Sequence, residues 1–364
     1  MKRIRFTFIF PLCAFALIFG ILPVSAEAAV KPKTPALEVS GWLPYWRKAT
    51  STLDAAAHLT AFTEINPFGY TVKQDGTLYD AMKVDEAPWP ALIASAKAKK
   101  IRVIPTVMWS NGTAIHEVLS NAESRIALED ALAKLVKEKG FDGIEIDFEG
   151  KKAETKDYFS KFLKGLYQRI GKKLVVCDIE ARTPLSSRYD GTPPADASMY
   201  ANDYVAINKY CDRVKIMAYD QGSIDLALNK ARSAPYVPVS DPAWVEKVIT
   251  LASQTISKKK LMIGVATYGY EYQVKPLTEY GYRYDLQWAF NPRYASDLAT
   301  SLNITPVRNA AGELSFIYKA PDTATTATGD VSTNTSETNA VPMANTSYSQ
   351  AAIAAAIPPP FNVL

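Results

Sequence analysis

The densest chemistry in the chain lies in nine residues, F-D-G-I-E-I-D-F-E at positions 141–149. Successive side chains of an extended strand alternate between its faces. Ile144, Ile146 and Phe148 would therefore share one side, and Glu145, Asp147 and Glu149 the other. Carboxyls two residues apart on one face start about 7 Å from each other. Like charges that close in a low dielectric raise one another's proton affinity, so at least one of the three is expected to stay protonated near neutral pH. A carboxyl that keeps its proton there is what general acid catalysis needs. Glu149, at the carboxyl end of the run, is the expected donor. Two plainer readings are an exposed edge strand and a Ca2+ loop. A parallel barrel buries both strand faces, which disfavours the first. The run also lacks the Gly turn and carbonyl spacing of a Ca2+ loop.

Such a strand needs a frame. Short apolar runs recur at 37–42, 63–68, 102–108, 143–148, 174–179, 214–218 and 261–265. Between them, residues 122–138, 158–170 and 244–256 place apolar side chains at helical spacing. Strands alternating with helices imply a parallel sheet with right-handed crossovers, and seven or eight such units favour a closed barrel. The expected fold is α/β, a (β/α)8 TIM-type barrel over residues 35–320. No eighth strand is legible after F-I-Y at 316–318. Residues 321–364 turn to Thr, Ser, Asn and Ala, with too few large apolar groups to offset ordering entropy, and are expected to be a disordered tail. The barrel is thus expected to be incomplete at its eighth strand, as in a truncated or frameshifted version of a longer enzyme. An unclosed barrel would leave its first and seventh strands as exposed edges.

Among 364 residues, 48% are hydrophobic and 21% charged, which excludes fibrous, collagen-like and wholly disordered chains. A basic head, a long apolar run and S-A-E-A-A read as a signal peptide over residues 1–26, cut near Ala26 or Ala28. An uncleaved anchor is the competing reading, because the run approaches the length that spans a bilayer. The expected location is secreted or cell-envelope, without stable membrane insertion after cleavage. Lys2, Arg3 and Arg5 belong to that leader. Without them, of the 41 basic side chains 38 remain against 37 acidic ones, which gives no pull toward nucleic acid or an anionic membrane. A monomer is expected. The two cysteines beyond the leader, Cys177 and Cys211, lie in or beside apolar runs and are expected to be small buried residues rather than a bridge. With His58 and His116 the only histidines, no metal site or other cofactor is expected.

The 141–149 run resembles the D-G-x-D-x-D-x-E signature of the family 18 glycoside hydrolases, the chitinase-like enzymes. K-I-M-A-Y-D-Q at 215–221, G-V-A-T-Y-G-Y at 264–270 and G-W-L-P-Y-W at 41–46 resemble further segments of that family, in the same order. The resemblance implies substrate-assisted hydrolysis, in which the sugar's own 2-acetamido oxygen attacks its anomeric carbon. It assigns Glu149 as acid and base, and Asp147 to the acetamido N–H and the positive charge. Tyr219 would hold the acetamido oxygen, Asp220 would add a hydrogen bond, and Met217 would sit beside them. The substrate class is an N-acetylglucosamine polysaccharide of chitin or peptidoglycan type. Sugar faces stack on aromatics, and Trp42, Trp46, Trp109 and Tyr268 are the candidate contacts among the many rings near strand ends. The sequence departs from the family in two places. Glu145 stands where Asp is usual, so a longer side chain must fit beneath Asp147, and the family's eighth-strand Trp is not found. Two other readings stay open: a two-carboxylate retaining glycosidase with Glu271 as nucleophile, and a non-catalytic lectin or cell-wall-binding protein.

Overall fold

The computed structural model describes residues 37–277, 281–319 and 361–363, the last three by backbone alone. Seven parallel strands form a curled sheet: β1 (Ser40–Pro44), β2 (Glu64–Val72), β3 (Thr106–Trp109), β4 (Gly143–Phe148), β5 (Leu174–Glu180), β6 (Arg213–Met217) and β7 (Leu261–Ile263). Each is hydrogen-bonded to its chain neighbour, as right-handed crossovers require. All seven apolar runs form strands. The third is broken: Arg102–Val103 pairs with β2 separately from β3. Pro105 lies in the gap, and its missing N–H interrupts the ladder. Among the described residues no eighth strand pairs with β1 or β7, so the sheet is an incomplete TIM-type barrel.

The helices that position the site are α1 (Gly112–Ser120), α2 (Ala122–Lys139), α3 (Lys156–Ile170), α4 (Tyr204–Tyr210) and α5 (Pro242–Ala252). The Asn121 side chain accepts from the backbone N–H groups of Glu123 and Ser124, which caps α2. Gly140 ends the same helix at φ +61, a left-handed position that glycine takes at least cost. The chain then enters β4 through buried Phe141. Ile144, Ile146 and Phe148 turn toward the helix layer and are fully buried. Phe148 stacks on Phe162 of α3 with ring centres 5.4 Å apart. Each of these side chains stabilises the fold by roughly 1.5–3 kcal/mol of transfer free energy, and together they fix which face of β4 points inward.

The structure corrects two expectations. Cys177 on β5 and Cys211 after α4 are joined in a disulfide. The β5–β6 register sets Cys177 opposite Val214, and Cys211 lies three residues before that partner. No reading of one strand alone reveals this. Second, an antiparallel sheet follows the barrel strands in the order β9, β8, β11, β10, with β8 at Gly269–Pro276, β9 at Tyr282–Phe290, β10 at Ile317–Tyr318 and β11 at Phe361–Val363. Residues 361–363, expected in the tail, thus form a strand. The rest of residues 321–364 and the leader 1–26 lie outside the described residues. Among those described, no helix is long and apolar enough to cross a membrane.

Candidate active site

The acids of β4 face the barrel lumen. Glu145 and Asp147 are buried and Glu149 is half-buried at the strand end. The lumen below them is filled by paired charges rather than by apolar layers. At its base Glu38 takes Arg213 at 2.6 Å and Arg102 at 3.2 Å. Above it Glu64 meets Arg102 at 3.2 Å and Lys215 at 3.2 Å, with the Asn66 amide donating to it at 3.1 Å. Higher still, Glu145 pairs with Lys215 at 2.6 Å, accepts from Trp42 Nε1 at 3.1 Å and accepts from the Thr106 hydroxyl. The longer side chain at position 145 is therefore fully accommodated. Buried charges persist when opposite charges pair them, and each of these carboxylates has a cation within 3.2 Å.

The upper layer is different, because its acids outnumber its cations. Burial first, then the negative charges of Glu149 and Glu145, push Asp147 well above the usual carboxyl range. Asp178 on β5 is raised in the same direction by burial and by Glu145 and Asp147. Glu149 is raised by burial and by Glu180, against the pull of Lys151 and of its hydrogen bond with Asp147. Lys151 is itself buried, 3.6 Å from Glu180 and 4.8 Å above the Phe159 ring. Burial and the crowding of acids thus favour the protonated forms of Asp147, Asp178 and Glu149.

Backbone close approaches fix this geometry. A Cβ on Gly112 would overlap the Gly150 carbonyl oxygen, so glycine lets the start of α1 abut the turn that follows Glu149. Tyr219 follows β6, edge-on to Trp42 at 6.3 Å and to Tyr268 at 6.1 Å. Burial, then the charges of Asp178 and Asp147, push its phenol above the ordinary range, so it remains a hydrogen-bond donor. Asp220 is exposed in the left-handed region at φ +57. It accepts from the hydroxyls of Tyr268 at 2.8 Å and Tyr270 at 2.6 Å.

The structure thus brings together Glu145, Asp147, Glu149, Trp42, Tyr219, Asp220 and Tyr268, with Met217 on the inward face that Lys215 shares. Trp46 is 52% exposed at the rim, packed edge-on against Tyr45 and Phe68. Trp109 does not join the site. It is 3% exposed in the core, edge-on to Phe148 on the helix side of the sheet, because the alternation that points Thr106 inward points Trp109 outward. Glu271 lies buried on β8, accepting from Trp288 Nε1 and Tyr318, as a member of the antiparallel sheet. Asp178, Lys215, Glu180 and Lys151 were not singled out in the sequence. The signal for the first three is period-two alternation: Val176, Asp178 and Glu180 share one face of β5, and Arg213, Lys215 and Met217 one face of β6.

The family described as glycosyl hydrolases family 18 matches residues 40–349. The chain belongs to that family of glycoside hydrolases. It is 28% identical over 199 residues to the uncharacterized glycosylase YvbX of Bacillus subtilis (strain 168), a match covering 53% of this chain and 54% of YvbX. The chain therefore spans about half the length of that relative. A crystal structure of a chitinase from Chromobacterium violaceum ATCC 12472 superposes with a TM-score of 0.61 at 20% identity, covering 78% of this chain and 83% of that one. The spore cortex-lytic enzyme SleL of Bacillus megaterium QM B1551 gives 0.60 at 24% identity, covering 78% of this chain and 62% of that one. At these identities the likeness to solved structures is one of fold.

Proposed function

We propose that the chain hydrolyses β-1,4 bonds beside N-acetylglucosamine in a glycan of chitin or peptidoglycan type, by the substrate-assisted retaining route. The observation that carries this reading is the hydrogen-bonded Asp147–Glu149 pair at the carboxyl end of β4, where burial and neighbouring acids raise the proton affinity of both groups. Glu149 gives its proton to the glycosidic oxygen as the bond to the anomeric carbon breaks. The acetamido carbonyl oxygen closes on that carbon, with Tyr219 donating to it. Asp147, ionised at that moment, accepts the acetamido N–H and faces the positive charge of the ring so formed. Water then attacks the anomeric carbon and yields its proton to Glu149, which restores the acid. Asp220, held by two tyrosine hydroxyls, stands where a sugar hydroxyl can donate to it.

The fold neighbours, a chitinase and a spore cortex-lytic enzyme, support an amino-sugar polymer as substrate. The basic and apolar leader sequence and the Cys177–Cys211 bridge, of a kind rare in reducing compartments, support action outside the cytoplasm. The test compares wild type with Glu149→Gln on a fluorogenic N,N′-diacetylchitobioside. A fall of at least about 100-fold is expected for loss of a general acid. Equal signals from the two proteins would overturn hydrolysis and leave a glycan-binding protein. A thiazoline mimic of the cyclised acetamido intermediate should bind tightly, which a two-carboxylate enzyme would not achieve.

A further inference from the structure

Lys215 is a cation in a place where barrel interiors are ordinarily packed with branched apolar side chains. It occupies the middle of β6, its side chain 3% exposed, with Nζ 2.6 Å from Glu145 and 3.2 Å from Glu64. The same ammonium lies 5.1 Å from the centre of the Trp42 ring. Burial works against its charge, but Glu145, Asp178 and Glu64 outweigh burial and hold it above the ordinary lysine range. Glu145 is paired with the Lys215 ammonium and accepts from Trp42 and Thr106. A glutamate reaches one methylene further from β4 than an aspartate does, and here that reach spans the lumen to β6. The unusual residue at position 145 and the buried lysine thus form one device.

We infer that Lys215 is a positioning residue for the acids above it: it holds Glu145 in an ion pair, and so confines the mobile proton of the ladder to the sugar end, between Asp147 and Glu149. This deepens the hydrolase reading and rests on it for its kinetic consequence. The groups facing Asp147 are Glu145 and Glu149 on its own segment, Lys151 from the turn, Asp178 and Glu180 from β5, and Tyr219 from the end of β6. Lys215 is the cation held against Glu145, the ladder charge below Asp147. Removing it leaves the Glu145 carboxylate uncompensated two residues beneath Asp147, and the proton should bind Asp147 more tightly.

The test is a carbon NMR titration of side-chain carboxyls in the full chain labelled at aspartate, with the Asp147 signal assigned through Asp147→Asn. Lys215→Met should raise the Asp147 midpoint by about one pH unit, and Lys215→Arg should keep it near wild type. The alkaline limb of kcat/KM should move in the same direction. If Lys215→Met fails to fold, Glu145→Asp draws the carboxylate back from Lys215 with every charge retained, and the Asp147 midpoint should again rise. A midpoint unmoved in the variants that fold, whatever their melting temperature, would reduce Lys215 to a structural residue and overturn the inference. The titration needs no turnover, so a protein that hydrolyses nothing would sink the hydrolase reading alone.

Discussion

Gly264 and Tyr219 meet with no room for a methyl group between them. A Cβ on Gly264 would come within 2.8 Å of the Tyr219 ring and 2.8 Å of the Ile216 carbonyl oxygen. The backbone oxygen cannot yield cheaply, so the ring must. Gly264→Ala should therefore displace the Tyr219 phenol and lower kcat by about 10- to 100-fold, as sub-ångström to ångström misplacement of a positioning group does. Steady-state kinetics on the fluorogenic chitobioside checks this. Unchanged kcat would show that Tyr219 plays no part at the reacting sugar.

Acidity enters stability through two opposed sets of carboxyls. Asp147 and Asp178 have folded proton affinities raised by burial and by neighbouring acids. Their contribution is complete below the unfolded value of about 3.9 and is lost as pH rises through the folded values. Glu64 is lowered in spite of burial, by Lys215, Asn66 and Arg102, so its contribution is present above the ordinary glutamate range and lost as pH falls through the lowered value. Asp147→Asn removes one member of the first set. Its melting temperature should exceed that of wild type by a few degrees at pH 8 and by less at pH 5, since about 1 kcal/mol corresponds to 2–4 °C in a domain of this size. Thermal scans across pH 4–9 would reject this if the two curves ran parallel.

Asp220 combines a left-handed backbone at φ +57 with two tyrosine donors. Asp220→Ala and Asp220→Gly both abolish the hydrogen bonds, but only the glycine relieves the backbone. The glycine variant should be more stable than the alanine variant by about 1 kcal/mol in urea titrations, while both bind substrate equally weakly. Equal stabilities would mean that the backbone is unstrained there.

The Cys177–Cys211 bridge closes a loop with a sequence separation of 34. Chain-entropy arguments assign such a loop about 3–4 kcal/mol. Replacing both cysteines by serine should lower the denaturation midpoint accordingly, with kcat at 25 °C retained because the bridge lies on the helix side of β5, away from the lumen. A drop in kcat in the folded variant would show that the bridge also sets the spacing of β5 and β6.

Much of this was legible in residue order. The alternation in 141–149 sends Glu145 inward and Phe148 outward, and the structure places them so, because period-two geometry follows from local sterics. The same logic applied to a bare aromatic count failed at Trp109. A tryptophan near a strand end is equally suited to the core, and only its parity with Thr106 decides. Lys215 escaped notice because a lysine between Val214 and Ile216 looks like an exposed interruption until Glu145 and Glu64 are known to face it from other strands. The disulfide escaped for a related reason, since inter-strand register is a tertiary quantity. Two strands of the antiparallel sheet, β10 and β11, are too short to stand out from loops.

Glu38 and Arg213 are separated by 175 positions in the chain yet touch at the barrel base, and Lys215 completes Glu145 from 70 positions further along. Pairs of that kind cannot form in stages. A nascent assembly of β1 to β5 would hold Glu38, Glu64 and Glu145 without the cations that β6 brings, and would have to keep water in its centre. Drying of the interior must therefore await arrival of the sixth strand, which makes barrel formation all-or-none across some 180 residues and exposes any chain stalled before that point to proteolysis.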